Sequence, residues 1–600
     1  MRIFSWPQRT LFSALTALAA LGACIPSVFA QDTHTAADGT TACASNASGL
    51  KLIPGFCATV FADHLGHPRH MVVAPNGVVY VNTWSGVYYG NDKPPAGGFV
   101  VALQDTDGMG KANVVKRFGE TVETGGAGGT GIALYKGKLY VEINDKIVRY
   151  SIPAGSIVPS GPPEVIVSGM PLGGDHPMHP FAIDADGGMY IDMGTATNAC
   201  QQENRMPKSP GIKPCTETQT RGGIWRYDAN KTDQKFSPAE RYATGIRNAD
   251  GIAIDSSGHG VYATQHGRDQ LAENWSELYK PEQGATLPAE ELLKVQKDGD
   301  YGWPECYFDP VQNKLVLAPE YDGDGGKTVG GCAGKNAPIA AFQAHWAPDD
   351  LLLYQGKEFP ARFHGGAFIA FHGSWNRAPF PQAGYNVTFQ PLSDGRASGR
   401  CEVFADDFAG SAGNKRSGKA LHRPTGLAIG PDGALYVSDD ARGRIYRITY
   451  VGGESGEAHG TPCPAANASP GTRLATAAAP PEGLKKDAGA SASAQLPVPP
   501  GATAEMVAAG GRLYHAQVGS ATCTGCHGAD GGGTALGPNL TTGKWAWSDG
   551  SLDGIKKTIT EGVAKPKNYR SPMPPMGGAQ LTPEQVSDVA AFVWAIGRPH

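Results

Sequence analysis

Five stretches of this 600-residue chain share one pattern of apolar and polar positions. Each has a short apolar run, a turn built from Pro, Asp, Asn or Gly, and a second, alternating run that ends in Tyr-Val or a near equivalent. They are "HPRHMVVAPNGVVYVNTWSG" from His67, "GTGIALYKGKLYVEINDKIVRY" from Gly129 and "HPMHPFAIDADGGMYIDMG" from His176. The last two are "IRNADGIAIDSSGHGVYATQHG" from Ile246 and "HRPTGLAIGPDGALYVSDDARGRIYRI" from His422. Period-two alternation marks a half-buried strand. Two such runs joined by a turn whose Gly, Asn or Asp accepts positive φ form a β-hairpin. The copies mostly recur about every 50 to 70 residues, with a longer gap before His422, which leaves room for a four-stranded sheet and its loops. The expectation is an all-β propeller of six blades. A β-sandwich also has many hairpins, but regular repetition favours blades.

The end of the chain changes period. In "LTPEQVSDVAAFVWAIG", Thr582 is placed to cap a helix, with Pro583 at its first position and Gln585 closing a capping box. Val586, Val589, Val593 and Ile596 then fall on one face, and Leu513 and Tyr514 lie on a shorter helical stretch. Between the two textures runs an Ala/Pro/Ser/Gly-rich segment, 464–501, with almost no large apolar residue to bury, which reads as a linker. The expected organisation is a propeller over 31–463, a linker over 464–501 and a small all-α domain over 502–600.

The first thirty residues read as an export signal: Arg2 and Arg9 flank an apolar run from Leu11 to Ala23, and Ser27-Val28-Phe29-Ala30 offers a cleavage site. Leu21-Gly22-Ala23-Cys24 also resembles a lipoprotein box, so the membrane enters only as the place where a lipid on Cys24 would anchor. A periplasmic location follows from either reading. Of the eleven cysteines, eight remain once Cys24, Cys523 and Cys526 are set aside. That even number predicts disulfides, and pairing of sequence neighbours, such as Cys43–Cys57 and Cys200–Cys215, is one of 105 arrangements. A net charge of −5 is too small to point to nucleic acid as a partner.

The strongest chemical signal is "CTGCH". Cys523 and Cys526 can add to the two vinyl groups of haem while His527 binds the iron. No second Cys-x-x-Cys completes a zinc site. The tail resembles a class I cytochrome c. That resemblance makes Met573 of "SPMPPMGG" the second axial ligand, with Met576 as competitor, and has the Pro538 carbonyl hold the His527 ring.

A covalent haem supplies a one-electron outlet, and the body lacks the Gly-x-Gly-x-x-Gly of a nicotinamide or flavin site. From about Leu50 to Tyr450 the body resembles the soluble glucose and sorbosone dehydrogenases that depend on pyrroloquinoline quinone (PQQ). The segments that carry the resemblance are "TGIRNADGIAID", "LPAEELLKVQKDGDYGWPECY", "GGDHPMHPFAIDADG" and "HRPTGLAIGPDG". It implies PQQ contacts from Arg247, Asn248 and Arg423, a catalytic base at His176, and a calcium ligand at Glu291, ahead of Tyr301-Gly302-Trp303-Pro304. Two departures stand out: Thr425 takes the place of a second arginine, and no lysine stands near "FHGSWNR", where Arg377 is the available substitute. Arginine and lysine are not equivalent at such a position.

The chemistry suits the residues. A histidine near neutrality can take the hydroxyl proton of a sugar, arginines can clamp carboxylates, and calcium can act as a Lewis acid. The expectation is a periplasmic quinohaemoprotein oxidising an aldose or a sorbosone-like sugar aldehyde. It would pass electrons through haem c to a respiratory cytochrome, quinone or oxidase. Two alternatives are a propeller lactonase, which predicts Glu, Asn and Asp ligands clustered in the central channel, and a non-catalytic carbohydrate-binding propeller carrying a cytochrome.

Overall fold

In a computed structural model of the protein the described residues are 48–85, 95–120, 128–377, 380–415, 420–452, 458–472, 496–515, 523–528, 531–533, 537–567, 572–579 and 581–598. The expected signal segment, Cys24 and Cys43 lie outside them.

Six antiparallel sheets follow one another along the chain. Blade 1 holds Pro68–Val73, Val79–Thr83, Val100–Gln104 and Val114–Phe118. Blade 2 holds Ile132–Tyr135, Lys138–Ile143, Lys146–Ser151 and Glu164–Ser168. Blade 3 holds Phe181–Ile183, Gly188–Met193, Gly223–Asp228 and Arg241–Thr244, and blade 4 holds Ile252–Ile254, Val261–Gln265, Glu290–Val295 and Ala340–Phe342. Blade 5 holds Pro348–Leu353, Ala367–Phe371, Asn386–Gln390 and Glu402–Asp406. Blade 6 takes Pro424–Ile429, Leu435–Asp439 and Arg444–Tyr450 from late in the chain and its outer strand, Phe56–Ala62, from early in it. Each of the five repeated stretches supplies the first hairpin of a blade, namely 1, 2, 3, 4 and 6. The propeller expectation is met.

Ring closure rests on pairing and on aromatic packing. Phe56 pairs with Tyr450 in the sheet. Its ring packs edge-on against Phe359 at 4.7 Å, Phe404 at 4.9 Å and Phe363 at 5.5 Å. These rings, with Phe368 and Phe389, form the buried core between blades 5 and 6. Burying each such side chain stabilises by about 1.5–3 kcal/mol, so the closing strand is held by its anchor as well as by its hydrogen bonds.

Disulfides join Cys200–Cys215, Cys306–Cys332 and Cys401–Cys463. All three are sequence-neighbour pairs, and the Cys43–Cys57 pair reaches outside the described residues. Cys401–Cys463 fastens the chain leaving blade 6 back onto blade 5, where Thr461–Pro462 also pairs with the outer strand. Residues 464–472, the start of the linker segment, continue along the propeller. Ala466 packs against the cluster containing Cys306 and Phe308, and the Pro470 carbonyl accepts a hydrogen bond from Arg377 at 3.5 Å.

The C-terminal domain has helices Ala504–Tyr514, Cys523–His527, Leu552–Glu561 and Pro583–Ile596. Thr582 and Gln585 form the expected capping box. The first and last helices cross so closely that a Cβ on Gly510 would lie 1.8 Å from the Asp588 carbonyl oxygen, so only glycine fits there. Among the described residues, no helix is long and apolar enough to cross a membrane.

Candidate functional site

His176 lies in the loop before blade 3 and is 9% exposed. Its Nδ1 sits 2.9 Å from both the carbonyl oxygen and the Oγ1 of Thr195. The Thr195 hydroxyl itself donates to the Thr197 carbonyl, at 2.8 Å. Both neighbours of Nδ1 are therefore acceptors, which puts the ring proton on Nδ1 and leaves Nε2 as the basic nitrogen. Burial, and then the nearby Arg247 and Arg205, hold the imidazole well below its ordinary pKa, so it is neutral at pH 7. A Cβ on Gly194 would lie 2.7 Å from the His176 Cβ and 2.9 Å from the Asn248 Oδ1. A glycine there lets the two residues converge. Arg221 clamps this loop through the carbonyls of Gly194 and Leu172, both at 2.8 Å.

Arg247 and Asn248 precede the first strand of blade 4 and are almost fully buried. The Arg247 guanidinium binds the Asn198 carbonyl at 3.1 Å, the Asn198 Oδ1 at 2.9 Å and the Asp269 carboxylate at 2.9 Å. Asn248 keeps its Oδ1 buried without a hydrogen-bond partner. Such an orphan acceptor is costly unless a ligand satisfies it. Asp269 also pairs with Arg205 at 3.0 Å, and Arg205 in turn binds Asp175 at 2.8 Å. Burial alone would raise the Asp269 pKa, but Arg247 and Arg205 outweigh it and hold the carboxylate far below the usual range. Asn376, from "FHGSWNR", donates to the other Asp269 oxygen.

His176, Arg247 and Asn248 thus converge in one buried polar cluster, while Arg423 and Glu291 bond to other groups. Arg423, from blade 6, donates to the His372 and Gly373 carbonyls at 3.1 and 2.6 Å. Thr425 caps the Arg423 carbonyl with its hydroxyl. Arg377 gives its guanidinium to the carbonyls of Ala344, Pro381 and Pro470, so its charge faces backbone. Glu291 pairs with Gln265 across blade 4, and its buried Oε2 has no partner. Burial pushes its carboxyl up to about 8. Its neighbour Glu290, on the opposite face of the same strand, accepts from the Gly267 backbone at 2.9 Å and feels Asp269 and Arg247.

The central channel contains Asp250, His266 and Asp349, whose ligand atoms lie within 4.8 Å of one another. This is the kind of cluster a metal-dependent propeller hydrolase needs. Arg69, fully buried, enters it, with Nη1 3.2 Å from Asp349 and from Asp440 and Nη2 3.7 Å from Asp250. A fixed guanidinium there supplies the positive charge that a divalent ion would bring. The sequence reading missed Arg205, Asp269, Asn198 and the channel residues. Each belongs to the site only through contacts between distant blades, and only the polar string "QHGRDQ" hinted at Asp269.

The C-terminal domain holds a cavity of about 350 Å³ lined by Cys523, Cys526, His527, Met573, Met576 and Pro538, among others. His527 Nδ1 meets the Pro538 carbonyl at 3.0 Å, which leaves Nε2 for an iron. Met573 is pinned by two backbone hydrogen bonds to Val563, at 2.7 and 3.0 Å. Met576 sits in a tight turn at φ 54°. Both line the cavity. Thiols, imidazole and thioether around one apolar cavity fit haem c. Two residues of the propeller, Arg205 and Gln270, line the same cavity.

Comparison with known proteins agrees with this architecture. The chain is 27% identical over 236 residues to the pyrroloquinoline quinone-dependent pyranose dehydrogenase of Coprinopsis cinerea, covering 35% of this chain and 31% of that protein. It is 40% identical over 97 residues to the cbb3-type cytochrome c oxidase subunit CcoP of Rubrivivax gelatinosus, covering 16% of this chain and 28% of that subunit. The chain thus spans under a third of the length of either relative; for an uncharacterized protein of Borreliella burgdorferi, 26% identical over 221 residues and matched over 36% of this chain, the share is 50%. Among solved structures, the holo PQQ domain of the Coprinopsis cinerea pyranose dehydrogenase shares the fold, with a TM-score of 0.52 at 19% identity over 67% of this chain and 97% of that one. The Trichoderma reesei carbohydrate-active enzyme of family AA12 shares it with a TM-score of 0.53, also at 19% identity and the same coverage. The cytochrome c family model matches residues 507–596. The TrAA12-like model matches residues 50–451, and this chain belongs to that family, with a cytochrome c domain at its C-terminal end.

Proposed function

We propose that the protein is an exported quinohaemoprotein sugar dehydrogenase. It would oxidise an aldose or a sorbosone-like sugar aldehyde and deliver electrons through haem c to a respiratory acceptor in the periplasm. The observation that carries this reading is His176, a buried, neutral histidine with Nδ1 pinned and Nε2 left basic, beside Arg247 and the unsatisfied Asn248, in a chain that also builds a haem cavity. The name of the Coprinopsis cinerea relative, a PQQ-dependent pyranose dehydrogenase, supports the same substrate class.

In this reading PQQ supplies the two-electron acceptor and haem c the one-electron outlet. The chain does the rest. His176 takes the sugar's hydroxyl proton at Nε2, and the Thr195 carbonyl holds the imidazolium that forms. Arg247, Asn248 and Arg423 bind and orient the cofactor's carboxylates and ring oxygens. The buried setting excludes bulk water. The lactonase alternative is disfavoured by Arg69, whose guanidinium occupies the acidic channel where that chemistry needs its metal.

Calcium belongs to the proposal through Glu291 and its unpartnered Oε2. Without an ion, the carboxyl is protonated in the folded protein up to about pH 8 and ionised in the unfolded chain above about 4.5. The stability it contributes is fully present below about 4.5 and is lost as pH rises through about 8. A calcium ligand behaves differently, because the ion favours the ionised carboxylate and binding stabilises the folded state. The expected result in thermal melts at pH 8 is that calcium raises the Tm of the parent and not of Glu291→Gln. Equal shifts in both would remove Glu291 as a ligand.

The function is tested by an anaerobic absorbance scan of the oxidised, haem-loaded protein with PQQ and Ca²⁺ and a panel of aldoses, sorbosone among them. The reduced haem bands are expected to grow only with sugar and PQQ together. Reduction by ascorbate but by no sugar at any PQQ concentration would overturn the assignment and favour a binding propeller.

A further inference from the structure

We propose that Arg205 and Gln270 are the seat on which the cytochrome docks on the propeller, with its haem cavity facing the His176–Arg247 pocket. This rests on the function proposed above and adds the place where the electrons cross. Three independent features point there.

The first is the shared cavity wall: among the described residues, Arg205 and Gln270 are the propeller residues that line the haem cavity. The second is how firmly Arg205 is held. It is 3% exposed, pairs with Asp175 and Asp269 at 2.8 and 3.0 Å, donates to Gln270 Oε1 at 3.1 Å and lies 5.8 Å from the Trp375 ring. Asp269 is also the partner of Arg247. One rigid run of hydrogen-bonded side chains therefore spans from the pocket to the haem cavity. The cluster's charges reach across the seam to Cys526, Arg205 in one sense and its partners Asp175 and Asp269 in the other.

The third feature is the tether. The chain leaving blade 6 is fastened by Cys401–Cys463 and led along the propeller until the Pro470 carbonyl meets Arg377. Arg377 follows Asn376, which binds Asp269. The described run 458–472 is thus led to Arg377, next in sequence to a partner of Asp269. A tether released there holds its domain at high effective concentration over the mouth.

Each sugar oxidised yields two electrons and two protons. The electrons leave one at a time, each converting ferric to ferrous haem, and an external one-electron acceptor reoxidises the iron. No covalent bond forms at the seam. Arg205 acts as a positioning residue, and its positive charge favours the reduced haem.

The test uses the full-length, haem-loaded protein. In Arg205→Gln and in Gln270→Glu, dithionite titration without PQQ or sugar is expected to show a lower haem midpoint potential. A tenfold change in the one-electron equilibrium would read as about 59 mV. Stopped-flow haem reduction by sugar is expected to slow relative to turnover with a soluble dye, because the driving force for reducing the haem falls. If Arg205→Gln fails to fold, Gln270→Glu carries the test alone, because Gln270 forms no ion pair. Unchanged potentials, with haem reduction keeping pace with dye turnover, would overturn the seat. Loss of dye turnover in the parent would instead overturn the proposed function, and the potentials would still report on the seat.

Discussion

Replacing His176 with alanine is expected to lower the rate of sugar-driven haem reduction by about 10²- to 10⁴-fold, the range that a positioned general base contributes. Chemical reduction of the haem should be unaffected. The substitution removes a group that makes few structural contacts beyond Thr195, so the propeller is expected to fold, as circular dichroism would verify. The pH profile gives a second reading. Burial and the two arginines keep the parent's imidazole neutral well below pH 6.5, so the acid limb of kcat/KM is expected well below that value. Arg205→Gln removes one of those two cations and should move the limb upward. An acid limb at 6.5 or above in the parent would mean that the base is another group, or that His176 is open to water.

Met573→Ala is expected to lower the haem potential by about 0.1 V or more, within the roughly 0.8 V that axial ligands span. It should also abolish the charge-transfer absorbance of a thioether–iron bond. Met576→Ala should do neither. Two backbone hydrogen bonds to the distant Val563 fix the Met573 Cα, whereas Met576 sits in a left-handed turn tied within its own loop, through Ala579. A fixed Cα presents its sulfur at low entropic cost. If Met576→Ala produced the larger shift, the roles would be reversed. Sugar-driven reduction in Met573→Ala is expected to slow with the falling driving force.

How much of this was legible in the sequence follows from which contacts are local. Hairpins with Asn-Gly, Asp-Gly, Ser-Gly or Lys-Gly turns announce themselves, and five blades were visible through them. Blade 5 was not, because its first hairpin crosses a long loop, 354–366, that carries aromatic core residues Phe359 and Phe363 in place of a tight turn. The closing strand Phe56–Ala62 was equally hidden, since nothing near it in sequence pairs with it. At the site, Cys523, Cys526 and His527 are contiguous and were legible at once. His176, Arg247 and Asn248 could be named through short motifs, yet what holds them could not. Asp269 binds Arg247, Arg205 and Asn376, three residues from three separate loops. Glu290 and Glu291 illustrate the limit best: adjacent carboxylates in one strand face opposite sides, and only the register with Gln265 and Ala341 assigns the sides.

The late closure of blade 6 also sets the order of folding. Phe56–Ala62 is synthesised ahead of every other blade strand named above and cannot find its partner, Arg444–Tyr450, until nearly the whole ring exists. Until then it is an unpaired apolar edge, the kind of surface that recruits foreign strands. Pairing across almost the full length of the propeller makes for slow folding. The five earlier blades can form as their residues emerge, so the ring behaves like a clasp that snaps last. Only after it snaps can Thr461–Pro462 and Cys463 take their places on blade 5, and with them the leash that brings the haem to its seat.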